Sequence, residues 1–209
     1  MGSSSSKPKC KSCKALPPPV LEETMASSGP VRASSLFAKA LAEVNNKRAL
    51  HGVPSVTLQL GAAGDTAMEN AKTIADRFCQ VGLVHTGNTG EGPDEPKVGQ
   101  NIYAVTLGGS LYDLNTMADI LQSGIHMWYD EIDKPTSYFR NDGQAEMDAF
   151  QENRGHFTQL VWKNSTSISF GVAIAQCVNT QWLIMVANFS PAGNVIGQFA
   201  DNVLPPVQQ

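Results

Sequence analysis

Ile168, Phe170, Val172 and Ile174 are separated one by one by Ser169, Gly171, Ala173 and Ala175. Only an extended strand sorts a period-two pattern onto two faces. Val178-Asn179-Thr180-Gln181 follows as a turn, and residues 182–189 return as the partner strand until Ser190-Pro191-Ala192-Gly193-Asn194 stops it. Paired strands must bury their apolar side chains against something else, and the segments upstream supply helices.

Ser34 or Ser35 caps the first helix, in which Leu36, Phe37, Ala40, Leu41 and Val44 recur at i, i+1, i+4, i+5 and i+8. It ends near His51-Gly52-Val53-Pro54, with a Gly past the last turn and a Pro beyond. A second helix is expected over 65–80, burying Met68, Ala71, Ala75, Phe78 and Cys79. A third, over 113–132, turns Met117, Ile120, Leu121, Met127 and Trp128 inward. Between them lie Leu83-Val84-His85-Thr86 and a Gly-, Pro- and acid-rich loop over 87–99. A polar loop covers 133–154. Helices around paired strands make a layered mixed domain. A length of 209 residues holds one such domain and a tail.

The segment between the third helix and the strands carries the densest chemistry. In Gly155-His156-Phe157-Thr158-Gln159-Leu160-Val161-Trp162, Phe157, Leu160 and Val161 fall at i, i+3 and i+4 on one helical face. His156 lies about 100° from Phe157, at the edge of that stripe. Taken alone, these eight residues describe a satisfied structural histidine near a helix start. Continued by Lys163-Asn164, however, they resemble the signature of the CAP superfamily of cysteine-rich secretory, antigen 5 and pathogenesis-related proteins. Asn45-Asn46-Lys47-Arg48-Ala49-Leu50-His51-Gly52-Val53-Pro54 resembles that family's first-helix motif, with Val44 where a His usually stands. The segment from Met185 to Asn194 resembles its second signature, with Ala187 where secreted members place Cys. The resemblance implies an α+β fold, the three-layer α-β-α sandwich, over residues 34–209. Asn202-Val203-Leu204-Pro205-Pro206 and the low Cys count look like the Golgi-associated plant pathogenesis-related branch.

CAP domains present two His and two acidic residues in a central cleft. Carried over by position, His85 and His156 are the histidines and Glu131 is one acid. In Gly99-Gln100-Asn101, Gln100 stands where the second Glu is usual. Two imidazoles and a carboxylate suit Zn²⁺ or another divalent ion with an open water position. His85, Glu131 and His156 are therefore the candidate ligands, with Gln100 holding a hydrogen bond behind them. The plainer alternative is a buried polar network without a required cofactor. His126 and Asp130, at i and i+4, form a second candidate pair. No Gly-x-Ser-x-Gly elbow occurs, and the adjacency of Thr158 to His156 does not make a nucleophile and base.

Residues 1–33 read as a flexible tether. Met1-Gly2-Ser3-Ser4-Ser5-Ser6 fits N-myristoylation at Gly2. One acyl chain anchors marginally. Lys7, Lys9, Lys11 and Lys14 would add attraction to an anionic leaflet, and Cys10 and Cys13 are palmitoylation candidates. Half a zinc site is the rival reading of Cys10-Lys11-Ser12-Cys13, but no further ligands follow nearby. The basic start leaves the body more acidic than the whole-chain charge of −4, which argues against nucleic acid as a partner. The start also has no apolar signal-peptide core. All four cysteines, with Cys79 and Cys177 in the body, are therefore expected reduced or lipid-modified rather than bridged. Asn164-Ser165-Thr166 and Asn188-Phe189-Ser190 match glycosylation sequons, which a cytosolic chain would never present to the transferase.

Together these features lead to the expectation of a chain at the cytoplasmic face of Golgi or plasma membranes, not secreted. It would be lipid-anchored and would bind lipids, with sterol or fatty acid as the family-level ligand, or partner proteins, without catalysis. A homodimer is a further expectation. The competing function is metal-assisted hydrolysis of a peptide or ester by the His/Glu cleft.

Overall fold

The computed structural model describes residues 29–86, 98–108, 114–133 and 155–207. Gly2, Cys10 and Cys13, with the acylation expected of them, lie outside these residues. Helix α1 (Gly29–Ala49) is followed by the short strand β1 (Thr57–Leu58), α2 (Ala62–Val81) and β2 (Gly99–Leu107). Then come α3 (Leu114–Tyr129), a 3₁₀ turn (Asp130–Asp133), α4 (Gly155–Leu160), β3 (Ser167–Cys177), β4 (Thr180–Ser190) and α5 (Phe199–Asn202). Backbone helix begins at Gly29, ahead of the expected Ser cap, with Pro30 in the first turn where its missing N–H costs nothing.

The sheet runs β1-β3-β4-β2. β1 pairs parallel with β3, and the other two pairings are antiparallel. Its period-two faces build an α-β-α sandwich. Phe170, Val172, Leu183, Met185, Ala187 and Phe189 pack with α1 and α3 residues such as Phe37, Val44, Leu121 and Ile125. The alternate residues Ile102, Ala175, Ile184 and Val186 pack under Ala71, Ile74 and Ala75 of α2. Close approach of α2 is possible because position 171 is Gly: a Cβ there would collide with the carbonyl of Ala67. Met127 departs from expectation. It is exposed, because Ile125 and Trp128 already occupy the buried side of α3.

The expectation of unbridged body cysteines is corrected. Cys79, near the end of α2, forms a disulfide with Cys177 at the end of β3. Sequence separation of 98 residues hid the pair, and only the packing of α2 across the sheet brings the two together. Among the described residues, no helix is long and apolar enough to cross a membrane.

Candidate functional site

Four elements converge where β2 begins and β4 ends. Gln100 of β2 stands opposite Asn188 of β4, which in turn pairs with Ser169 of β3. Gln100 Oε1 accepts from the Thr86 N–H at 3.2 Å and lies 3.0 Å from His85 Nδ1. Gln100 Nε2 donates to Thr86 Oγ1 at 2.9 Å and to Asn188 Oδ1 at 3.2 Å. The Thr86 amide can only donate, so this amide orientation is fixed by its neighbours. The same logic sets the His85 tautomer: Nδ1 carries the proton and gives it to Gln100, leaving Nε2 with the lone pair.

His156 is held in the same manner from the other side. Its Nδ1 donates to Glu131 Oε1 at 2.9 Å, and Glu131 Oε2 accepts the Phe157 N–H at 3.1 Å. Trp128 lies parallel to the His156 ring, with centroids 6.0 Å apart and planes at 21°, and its own Nε1 is tied to the Ile102 carbonyl. Asn101 Nδ2 donates to the His156 carbonyl. The two imidazoles face each other with centroids 6.4 Å apart and a 31° tilt. No described residue hydrogen-bonds either Nε2.

Helix α4 is placed by two cores at once. Leu160 enters the main core, whereas Phe157, Val161 and Trp162 pack with Phe199 and Val203 of the C-terminal segment. The single apolar stripe read from the sequence is thus divided between two clusters, and His156 stands at the edge left open. Gln159 is buried against Gly99 and Gly193; its Oε1 accepts the Gly193 N–H and its Nε2 donates to Ser165 Oγ. Asn194, with a positive φ of 55°, donates to the Gly155 carbonyl and accepts the Thr158 hydroxyl at 2.6 Å. That hydroxyl is therefore engaged away from His156.

On the other wall, Arg77 of α2 uses Nη2 to hold the carbonyls of Val84 and His85 at 2.9 and 2.7 Å. His85 is exposed along its outer edge, yet crowding by the site wall lowers its pKa; the bond to Gln100 opposes this and nearby His156 adds to it. Leu83 and Val84, immediately before it, are exposed apolar side chains.

The four carried-over positions, His85, Gln100, Glu131 and His156, are thus neighbours in space, with Gln100 and Glu131 each supporting a histidine. Glu131 bonds to His156 rather than standing free beside it, and among the described residues no three His, Cys, Asp or Glu side chains are arranged as a ligand set. His126 does not join Asp130. It pairs with Glu43 of α1 at 3.2 Å. Sequence reading missed Thr86, Asn101, Trp128 and Asn188. Their signal was adjacency: Thr86 and Asn101 flank site residues, and Asn188 sits inside the second signature.

The profile of the Cysteine-rich secretory protein family (CAP) matches residues 41–189, well over half of the chain. The chain belongs to the CAP family. "Repressed by EFG1 protein 1" of Candida albicans is 35% identical over 176 residues, covering 80% of this chain and 53% of its own length. "Secreted protein RBT4" of the same yeast is 30% identical over 181 residues, covering 81% and 41%. The human "Golgi-associated plant pathogenesis-related protein 1" is 37% identical over 81 residues, covering 38% and 46%. The chain thus spans about half the length, or less, of these CAP relatives. Among solved structures, NaASP2 with Zn²⁺ superposes with a TM-score of 0.54 at 20% identity, covering 82% of this chain and 85% of that one. The likeness supports the shared CAP fold.

The expected location at the cytoplasmic face is overturned. RBT4, and likewise PRY1 of Candida albicans, are named as secreted proteins. The Cys79–Cys177 bridge agrees, because such links persist in oxidising compartments.

Proposed function

We propose that this CAP protein is secreted and binds an amphiphilic lipid, a sterol or fatty acid, without turning it over. The observation that carries the reading is the exposed apolar pair Leu83-Val84 beside a polar site whose side chains orient one another and leave the Nε2 atoms of His85 and His156 open. The polar side chains of the site bond one another, and the Thr158 hydroxyl, adjacent to His156 in sequence, is spent on Asn194. Such a site can receive a polar head while the apolar step takes part of the hydrocarbon. Fluorescent sterol and fatty-acid analogues titrated into the purified chain test this. Leu83→Ser with Val84→Ser should weaken binding about tenfold, at roughly 25 cal/mol per Å² of apolar area withdrawn from water. Turnover of an ester or peptide that disappears in His156→Ala would replace this reading with the hydrolase.

A second reading has its own observation. With both Nδ1 atoms held, His85 and His156 keep Nε2 for a divalent cation, oriented by Gln100 and Glu131 as metal-bound histidines usually are. When bound, such an ion would act as a Lewis acid and lower the pKa of a bound water. Calorimetry with Zn²⁺ alone reads this directly. Heat that saturates at one ion per chain and vanishes in His85→Ala would support it, and no saturable heat would remove it. NaASP2, which was solved with Zn²⁺, makes that ion the first to try.

A further inference from the structure

Two Asn-x-Ser/Thr sequons lie in the described residues, and the fold treats them oppositely. Asn164, of Asn164-Ser165-Thr166, is exposed in the turn between α4 and β3. Its backbone N–H donates to Asn202 Oδ1, but no described residue hydrogen-bonds its side-chain amide. Thr166 is also exposed, and its hydroxyl makes only a long 3.4 Å contact with the Ser190 carbonyl. Asn188, of Asn188-Phe189-Ser190, is 4% exposed in the middle of the sheet, with β2 on one side and β3 on the other. Its Oδ1 accepts from Gln100, and the intervening Phe189 is fully buried.

We propose that Asn164 is an N-glycosylation site and that Asn188 is not one in the folded protein. The inference rests on the reading that the chain is secreted, since the modification belongs to that pathway. The co-substrate is an oligosaccharide linked through pyrophosphate to a lipid. Asn164 Nδ2 forms a bond to the anomeric carbon of the first sugar, that carbon's bond to phosphate breaks, the amide loses one proton, and the lipid pyrophosphate leaves. Transfer takes place on an extended chain, when both sequons are open, so the fold acts afterwards as a filter. A glycan on Asn164 projects into solvent and disturbs no bond. One on Asn188 would have to occupy the space of Gln100 and the site itself, and a chain carrying it cannot close the sheet.

The test sends the full chain into the secretory pathway of a eukaryotic host behind a cleavable leader, so that the site is tested whatever route the native chain takes. Peptide mass spectrometry of the exported protein, before and after enzymatic deglycosylation, should find a glycan on the peptide holding Asn164 and none on that holding Asn188. Asn164→Gln and Thr166→Ala should each abolish the gel shift while leaving the thermal midpoint unchanged. A bare Asn164 in exported, folded protein overturns the proposal, as does a glycan on Asn188. The chain without the added leader, expressed in parallel and assayed in medium and cell fractions, judges the secreted reading separately. Retention in the cytosol there, with Asn164 glycosylated in the led form, would sink the location and leave the site assignment standing.

Discussion

Arg48 shows how much one side chain can decide. It is fully buried at the end of α1, and its guanidinium donates to the carbonyls of Pro54, Leu160, Trp162 and Ser165. Burial lowers its pKa to about 10, so it stays charged at neutral pH. The three bonds to Leu160, Trp162 and Ser165 fasten the end of α4 and the segment after it, and hence His156, to the first helix. Arg48→Ala would leave three buried acceptors, the carbonyls of Leu160, Trp162 and Ser165, without that donor, and the partly buried Pro54 bond would go with them. A loss of about 3 kcal/mol or more in denaturant unfolding is expected, since charged hydrogen bonds and unsatisfied buried groups each weigh more than neutral ones. Gln100→Glu makes a second residue-scale prediction. The new carboxylate would face His85 Nδ1 at the position of Oε1 and favour the imidazolium by charge. The His85 titration midpoint followed by NMR should rise. A fall would mean that the lost donor bonds to Thr86 and Asn188 had displaced the ring. Gln100 was identified from the sequence as a departure from the family's Glu, but not as the group that selects the His85 tautomer. That role depends on Thr86 and Asn188, and the latter is 88 residues away.

At the scale of elements, α2 is the piece that carries the His85 wall of the site. It is seated by Gly171 beneath Ala67, tied by Cys79 to Cys177, and linked through Arg77 to the backbone of Val84 and His85. Gly171→Ala should destabilise the fold by about 1–3 kcal/mol, because the added methyl meets helix backbone that cannot yield locally. Thermal unfolding would measure it, and an unchanged midpoint would show α2 free to shift. Cys79→Ser should cost about 2–4 kcal/mol by releasing a long loop in the unfolded chain. In the wild type, reductant should lower the thermal midpoint by a similar margin, and the Ser variant should be insensitive to it. Most elements were legible in advance. The 3.6-residue spacing marked α1, α2 and α3, alternation marked β3, and the turn after β3 marked β4 as its returning partner. β2 was not legible, since Gly99-Gln100-Asn101-Ile102-Tyr103 has no alternation of its own and pairs only because β4 offers an edge. The two-residue β1 is too short to leave any periodic signal.

At the scale of the whole molecule, two histidines among the described residues make stability depend on pH in the mildly acidic range, with the same sign. His51 is buried between α1, α3 and the C-terminal segment; its Nδ1 donates to the Leu204 carbonyl and its Nε2 accepts the Tyr129 hydroxyl. Burial lowers its pKa, as it does that of His85, with the Leu204 bond partly opposing. Both groups hold fewer protons folded than unfolded, so stability is present above the unfolded value and is lost as pH falls through roughly 6.5. Denaturant midpoints measured from neutral to mildly acidic pH should decline through that range. His51→Gln should flatten part of the decline, whereas a profile that stays level in the wild type would contradict the assignment.

The sequence by itself determined the layered α+β architecture, the CAP family and the four positions that meet at the site, because periodicity and local motifs are written in neighbouring residues. Tertiary structure alone decided the Cys79–Cys177 bridge, the pairing of His126 with Glu43, and the division of labour within the site. It also separated an open sequon at Asn164 from a closed one at Asn188. Each of these depends on which distant surfaces are pressed together, and burial across 80 or 100 residues of chain leaves no mark on either partner's neighbours in sequence.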